Sequence, residues 1–397
     1  MRLILLLALF IFSAPLSAQL MPSYKMTKKY SVRQLQEWLK QNVRPRFITP
    51  ANFNMSFQVN SGWKYAHDML GGVPQVGFGT GKASNSYNAD LTIDYIYAYG
   101  RGRLVARTAF RNAGGLFGGG TTNKLEVGRA YIAYNLTTHG PFICELNVGR
   151  RTFIKVYNSQ MQFKGWIDGA NVISSYIWEK VVDARFLGGI YISNQQGFWV
   201  TRGGLFNIAA IGLYFDYVFV HWGKTRPLVV TNENKLNNLA YNVSQFLLGW
   251  DYKPQWINKD LKLFVALISN HGATRNEISD YSKESLAGYV GAQYGNAKKQ
   301  NDFSIQVMLQ FCQLQAIPPW DMTGIGSGRA PVSIFKATSA QTVNQNTNFK
   351  GWEGKALYAL TDDLTLTAKL QRSVTLNKAL GEPFNFTSFK LETQYVF

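Results

Sequence analysis

The stretch RGRLVARTAFR, residues 101–111, carries arginine at every fourth position from 103: Arg103, Arg107 and Arg111. Side chains in a strand alternate faces with period two, so these three share one face, and Leu104, Ala106 and Phe110 share the other. Two carboxylates precede them, Asp90 and Asp94. If Gly100 and Arg101 form a two-residue hairpin loop, Tyr99 pairs with Gly102, Asp94 with Arg107 and Asp90 with Arg111. This chemistry is electrostatic. Guanidinium and carboxylate groups on one wall can pair with each other, stiffening it, or meet ions in water, and Arg103 is left as the most available for solutes.

Two further places carry charge in a pattern. A three-residue turn at 361–363 sets Lys355 directly opposite Lys369, with Glu353 diagonally near. Like charges placed opposite each other destabilise a strand pair by a few tenths of a kcal/mol or more, so the arrangement marks a candidate solute contact. The segment GRRTFIKVYNSQMQFKGWIDGAN, residues 149–171, would bring Arg151, Lys155 and Lys164 against Asp168 if it folded inward as a constriction. The same residues also read as an ordinary outward loop followed by a strand. No phosphate-binding glycine loop, zinc-ligand spacing or nucleophile elbow occurs, and His67, His139, His221 and His271 are scattered, mostly in loop contexts. Composition and motifs thus point away from an enzyme, and no cofactor or metal is implied.

Charged faces of this kind need elements that hold water on one side and apolar matter on the other. Residues 302–313 place Phe303, Ile305, Val307, Leu309 and Phe311 on one face and Ser304, Gln306, Met308, Gln310 and Cys312 on the other. Residues 88–99 and 364–373 alternate in the same way. Segments of about ten residues with a dyad repeat are the signature of a transmembrane β-barrel. Facing arginine to hydrocarbon costs ~2–4 kcal/mol at the midplane, so Arg103, Arg107 and Arg111 belong on the lumen side.

Loop lengths support the same fold. Gaps between strands read 374–387, 361–363, 314–348, 296–301, 270–285, 253–259 and 223–238 from the C-terminus backwards, alternately long and short. From the front, 61–87, 100–102, 112–123 and 136–140 alternate too. Barrels keep short turns on the periplasmic side and long loops outside, which predicts that 314–348, with GIGSGRAP at its centre, is surface-exposed. Parity requires an odd number of strands in 151–207. Three strands there, including 186–193 and 197–203, give sixteen in all; one would give fourteen.

The first residues, MRLILLLALFIFSAPLSAQ, read as a secretory signal peptide, residues 1–18, too short for a spanning helix of ~20 apolar residues. Residues 19–50 read as a periplasmic segment in which SVRQLQEWLKQN forms a short helix, and 51–397 as an outer-membrane barrel. Aromatic residues make up 14% of the chain, as interfacial girdles require. Two cysteines, Cys144 and Cys312, make no disulfide framework and are expected to be free. The net charge of +18 suggests polyanion contact, with lipopolysaccharide phosphates or lumenal anions as partners rather than nucleic acid.

The chain ends SFKLETQYVF, and this resembles the recognition signal of Gram-negative outer-membrane proteins, with Tyr395 and Phe397 at its positions. The resemblance implies that the barrel assembly machinery reads these residues. Deleting Phe397 is then expected to impair insertion while export continues, and normal heat-modifiability of the truncated chain would count against it. More widely, ALTDDLTLTAKL (359–370) and INKDLKL (257–263) are similar to periplasmic turns of the bacterial "putative porin" family of the chlamydial type. That resemblance is best over 240–397. It implies a cell outer-membrane channel for passive diffusion of small solutes; a substrate-specific channel and a non-transporting structural or adhesive barrel are the alternative readings, and a homotrimer is a candidate assembly. The basic balance of the chain adds a weak anion preference.

Overall fold

The computed structural model describes residues 52–70, 73–74, 80–99, 101–115, 119–137, 141–152, 157–163, 165–179, 181–193, 196–223, 240–252, 259–275, 282–318, 321–325, 347–380 and 383–396. Signal peptide, N-terminal helix, Lys155, Lys164 and Phe397 lie outside the described residues.

Among the described residues, sixteen long strands form one antiparallel sheet. They are β1 (Asn52–Leu70), β2 (Thr80–Tyr99), β3 (Gly102–Gly115), β4 (Gly119–Thr137), β5 (Phe142–Thr152), β6 (Trp166–Trp178), β7 (Val182–Ser193) and β8 (Gln196–Ile208). The second half comprises β9 (Leu213–Trp222), β10 (Asn242–Tyr252), β11 (Leu261–Asn270), β12 (Leu286–Gly295), β13 (Phe303–Cys312), β14 (Phe349–Ala359), β15 (Leu364–Thr375) and β16 (Phe384–Val396). A two-residue strand, Val73–Pro74, extends the ladder of β1. Each strand pairs with its neighbours in sequence, and β16 pairs with β1, so the sheet closes on itself. Three strands occupy 151–207, and the fourteen-strand alternative is excluded.

Alternation decides the two faces of the wall. On β13 the predicted outer row, Ile305, Val307, Leu309 and Phe311, is exposed, while Ser304, Met308, Gln310 and Cys312 are buried inside. Aliphatic side chains form the middle of the outer surface: Val148, Val172, Ile190, Leu248 and Val265 are all exposed. Aromatic residues flank them. Tyr97, Tyr134, Trp178 and Tyr358 face outward near one end, and Trp166, Trp199 and Trp352 near the other. A barrel with an apolar band between aromatic girdles suits a bilayer. No helix among the described residues is long and apolar enough to cross a membrane.

Seven connections lie at one end, including 100–101, 138–141, 209–212 and 360–363, together with the first residue of β1 and the last of β16. This turn end is compact. Leu360 donates its N–H to the Leu364 carbonyl at 2.8 Å, as a tight turn there requires. Lys259 meets Asp302 at 2.6 Å and lashes turn 253–260 to turn 296–302. That hydrogen bond, helped by the Lys299 N–H, holds the Asp302 carboxyl below its ordinary range. A carboxylate with a depressed value stabilises above its unfolded pKa, so the tie is present at neutral pH and weakens on acidification.

At the opposite, loop end the predicted gaps are too long in the front half. β1 continues to Leu70 and β2 begins at Thr80, so most of 61–87 is strand. Residues such as Gly62, Ser84, Asn85 and Ser86 have little preference for strands, and it is the pairing of β1 with β2 that carries them. Two connections at this end, 116–118 and 194–195, are also short.

Candidate functional site: the lumen and its charged wall

Inward folding of two loops shapes the interior. Between β5 and β6, residues 157–163 leave the wall and cross inside the barrel. Tyr157, Met161 and Phe163 have 1%, 0% and 0% of their surface exposed. Gln245 on the inner face of β10 donates its side-chain N–H to the Asn158 carbonyl at 2.6 Å. Gln310, on the inner face of β13, donates to the Gln160 carbonyl at 3.3 Å. Because β13 stands far around the wall from β5 and β6, the segment spans the lumen. On its own side Tyr157 donates its hydroxyl to that of Tyr191 at 3.2 Å, and Asn171 donates to the same Tyr191 oxygen at 2.7 Å. Of the two readings of 149–171, the inward one holds for 157–163.

The loop after β13 packs over this segment. Leu314, Ala316, Ile317, Met322 and Ile325 are fully buried. The Thr323 N–H bonds the Met161 carbonyl at 2.8 Å, and the Ile325 N–H bonds Gln310 Oε1 at 3.1 Å. Gly324 sits at the crossing in the left-handed region, φ +72°. A Cβ there would lie 2.6 Å from the Gln160 carbonyl oxygen, so only glycine lets the two loops approach this closely. The expectation that 314–348 is surface-exposed is therefore wrong for 314–318 and 321–325. Its remaining centre, 326–346, lies outside the described residues. Together the two loops and the inner faces of β9 to β13 form one apolar cluster that includes Val218, Leu247, Ile268, Tyr289 and Met308. Burial of each large side chain contributes roughly 1.5–3 kcal/mol, so the loops are fastened to that side.

Away from that cluster the inner wall is charged. The hairpin β2–β3 has the register read from its turn: Tyr99 opposite Gly102, Asp94 opposite Arg107 and Asp90 opposite Arg111. Arg107 makes a two-pronged ion pair with Asp94. The Arg111 side chain is outside what the structure describes, and Asp90 is buried. Arg103 is not the available arginine that the hairpin alone suggested. Its Nη2 meets Glu145 Oε2 at 2.5 Å, with β4 lying between their strands. Arg103 stands beside Ala133, and that small side chain lets it reach over β4 to β5.

On the inner wall, Arg129, Arg151 and Arg185 have no carboxylate in ion-pair reach among the described residues. Arg129 lies directly opposite Arg107. Leu125 and Val127 face outward, and strict alternation would send Arg129 outward after them. The ladder slips at Gly128, which has no partner while Val127 faces Thr108, and this bulge turns Arg129 inward. Arg151 lies over the Tyr131 ring at 4.7 Å, and Arg185 over the Phe206 ring at 4.7 Å. Arg202, on the neighbouring strand, is held two-pronged by buried Asp216 at 2.8 Å. Asp168, expected opposite Arg151, instead pairs with Arg150 at 2.7 Å on the outer face, in the row of Val148 and Val172. Neighbouring residues point to opposite faces, so Arg150 and Arg151 part company here.

Lys355 does lie opposite Lys369. Lys369 lies opposite Lys390 on β16, and Lys390 opposite Lys64 on β1. Four lysines thus stand side by side on the inner wall across four strands. Three directly opposed like-charged pairs cost roughly 0.2–1 kcal/mol each before compensation. Glu353 and Glu392 compensate in part. Glu353 meets Lys369 at 3.0 Å and accepts a bond from Gln371 at 2.6 Å, and Glu392 meets Lys390 at 2.8 Å. Tyr395 faces outward at the end of β16, opposite Leu364 on one side and Val59 on the other. Neither Cys144 nor Cys312 is in a disulfide, and Cys312 is buried. His221 belongs to the wall rather than to a solvated loop and bonds Asn242 at 2.5 Å, while His271 sits exposed in the turn just past Asn270 and bonds Ser244 at 2.8 Å.

No family model and no curated protein matches the sequence. Solved structures do match the fold. OprB of Pseudomonas putida, in its high-pH structure, superposes with a TM-score of 0.55 at 10% identity, over 91% of this chain and 96% of that one. A triple mutant of the Rhodopseudomonas blastica porin gives 0.44 at 9% identity, over 87% of this chain and all of that one. The sheet described here is a porin-like, closed sixteen-strand β-barrel.

Proposed function

We propose that this chain is an outer-membrane porin through which small hydrophilic solutes diffuse passively, with a weak preference for anions. The observation that carries the reading is the pairing of an apolar, aromatic-edged outer wall with a charged inner wall, narrowed by 157–163, 313–318 and 321–325. A segment folded inward and fastened to the wall narrows the lumen. Arg129, Arg151 and Arg185 on one arc and the four-lysine row on another favour anions, because a positive lining raises their local concentration and repels cations. Under this reading the leader 1–18 directs export and the C-terminal signal at Tyr395 and Phe397 serves the assembly machinery. Lipopolysaccharide phosphates take part of the surplus charge at the outer rim, and copies of the chain assemble as a homotrimer. The affinity with the chlamydial-type "putative porin" family rests on the turns at 257–263 and 359–370.

Swelling of liposomes that contain the purified protein tests the function. Rates for neutral sugars should fall steadily as the sugars grow larger. Swelling no faster than in protein-free liposomes, for every sugar down to the smallest, would overturn the reading.

A further inference from the structure

The outward face of β13 to β16 carries two charged residues among those described, Lys350 and Arg372, and both stand at the loop end. Both are exposed, on the same outer rows as Trp352 and Leu370. Trp352 lies directly opposite Arg372, and Lys350 directly opposite Val374. The two cations are therefore diagonal neighbours, roughly 7–8 Å apart at their Cβ atoms, and their long stems can close on one group between them. Neither has a carboxylate in ion-pair reach among the described residues. Arg150 makes the contrast: it faces outward near the same end and is held by Asp168 at 2.7 Å. A cation facing lipid is costly at the midplane and nearly free near an interface, where it can meet a headgroup. Asn385 and Thr387 on β16, opposite Val374 and Arg372, set neutral polar groups beside the pair.

Toward the turn end the outer rows thin beneath this pair. Gly354 lies between Val307 and Leu370, and Ala356 lies opposite Ala368, with Ile305 and Leu391 on either side of them. A Cβ at Gly354 would meet nothing nearer than Trp352 Cζ3 at 3.8 Å, so its outward side is open. Small residues flanked by branched ones leave a shallow apolar trough that runs down the wall from the cations. We propose that this face docks lipopolysaccharide of the outer leaflet. Lys350 and Arg372 grip a phosphate group of its lipid part, and the trough takes an acyl chain. The arginine offers a planar fork for two phosphate oxygens, and the lysine a mobile point charge for a third. The proposal rests on the outer-membrane reading, which puts the loop end outside, where lipopolysaccharide rather than phospholipid meets the wall. It places on two named side chains of the membrane-facing wall a contact that was otherwise a general balance of charge at the rim.

The test is native mass spectrometry of the purified protein in detergent, titrated with short-sugar lipopolysaccharide, with the same lipid stripped of its phosphates and, separately, with phosphatidylglycerol. The wild type should bind the intact lipopolysaccharide about tenfold more tightly than either of the others. K350Q/R372Q removes both charges from an exposed face and should weaken that binding about tenfold, with the barrel still heat-modifiable on gels. K350R/R372K keeps the charges and should stay close to the wild type. Equal binding by the wild type and K350Q/R372Q would overturn the site, as would equal binding of the stripped lipid. Phosphatidylglycerol held as tightly as lipopolysaccharide would overturn the assignment of the lipid. Loss of binding in both variant pairs would trace it to altered packing rather than to charge, and would also overturn the site. A wild type that forms no heat-modifiable barrel in lipid vesicles would instead remove the outer-membrane reading itself.

Discussion

Converting Lys355 and Lys369 together to glutamate is expected to turn an anion-preferring channel into a cation-preferring one. Each substitution changes the local charge by two units, and both side chains face the lumen in register. A unit charge about 4 Å away is worth ~1 kcal/mol even at the dielectric of water, and salt screens part of that. The ratio of anion to cation permeability should therefore fall by about tenfold or more, read as a change of sign in the reversal potential across a salt gradient. Lys369 also holds buried Glu353, so the double variant costs some stability as well. The single change K355E separates the two effects. It sets a carboxylate opposite Lys369, relieves a like-charged pair, and should lower anion preference without loss of heat-modifiable barrel. Unchanged selectivity in both variants would show that these lysines do not act on passing ions.

Loosening the in-folded loops is expected to widen the channel without dissolving the barrel. Met161 is fully enclosed between the two loops and the far wall, and truncating such a side chain to alanine costs ~2–5 kcal/mol. Gly324→Val strikes the same contact from the other loop. Its Cβ would meet the Gln160 carbonyl oxygen at 2.6 Å and the Gln310 amide at 2.7 Å, in a backbone conformation that disfavours any side chain. Either variant should release 157–163 from Gln310 while leaving the ladders of β5, β6 and β13 in place. Single-channel conductance should rise and become noisier, with the protein still heat-modifiable on gels. Conductance identical to the wild type in both variants would mean that these loops do not limit flow.

The fold was legible wherever turn and pattern acted locally. A two-residue loop at Gly100 and Arg101 and a short turn at 361–363 fix the register of their hairpins, so Asp94 opposite Arg107 and Lys355 opposite Lys369 could be read directly. The partners that escaped lie across longer reaches. No turn joins β16 to β1, so nothing in the sequence sets Lys390 against Lys64. Arg103 reaches Glu145 over a third strand, through the space that Ala133 leaves. Arg129 changes face because the chain slips at Gly128, and a one-residue slip reverses every side chain beyond it. The loop after β13 reads as surface-exposed from its length and its side of the barrel, yet Leu314, Ile317, Met322 and Ile325 fold inward as part of the core. Period two describes a wall, and says nothing of residues that leave the wall to pack against it.

The most direct test of the account is the current through single molecules of the wild-type protein in a planar bilayer with a salt gradient across it. An aqueous lumen predicts discrete conductance steps of one size or its multiples, and a positive inner wall predicts a reversal potential on the anion side. A silent bilayer under conditions where the protein has inserted, or steps whose reversal potential lies on the cation side, would contradict it.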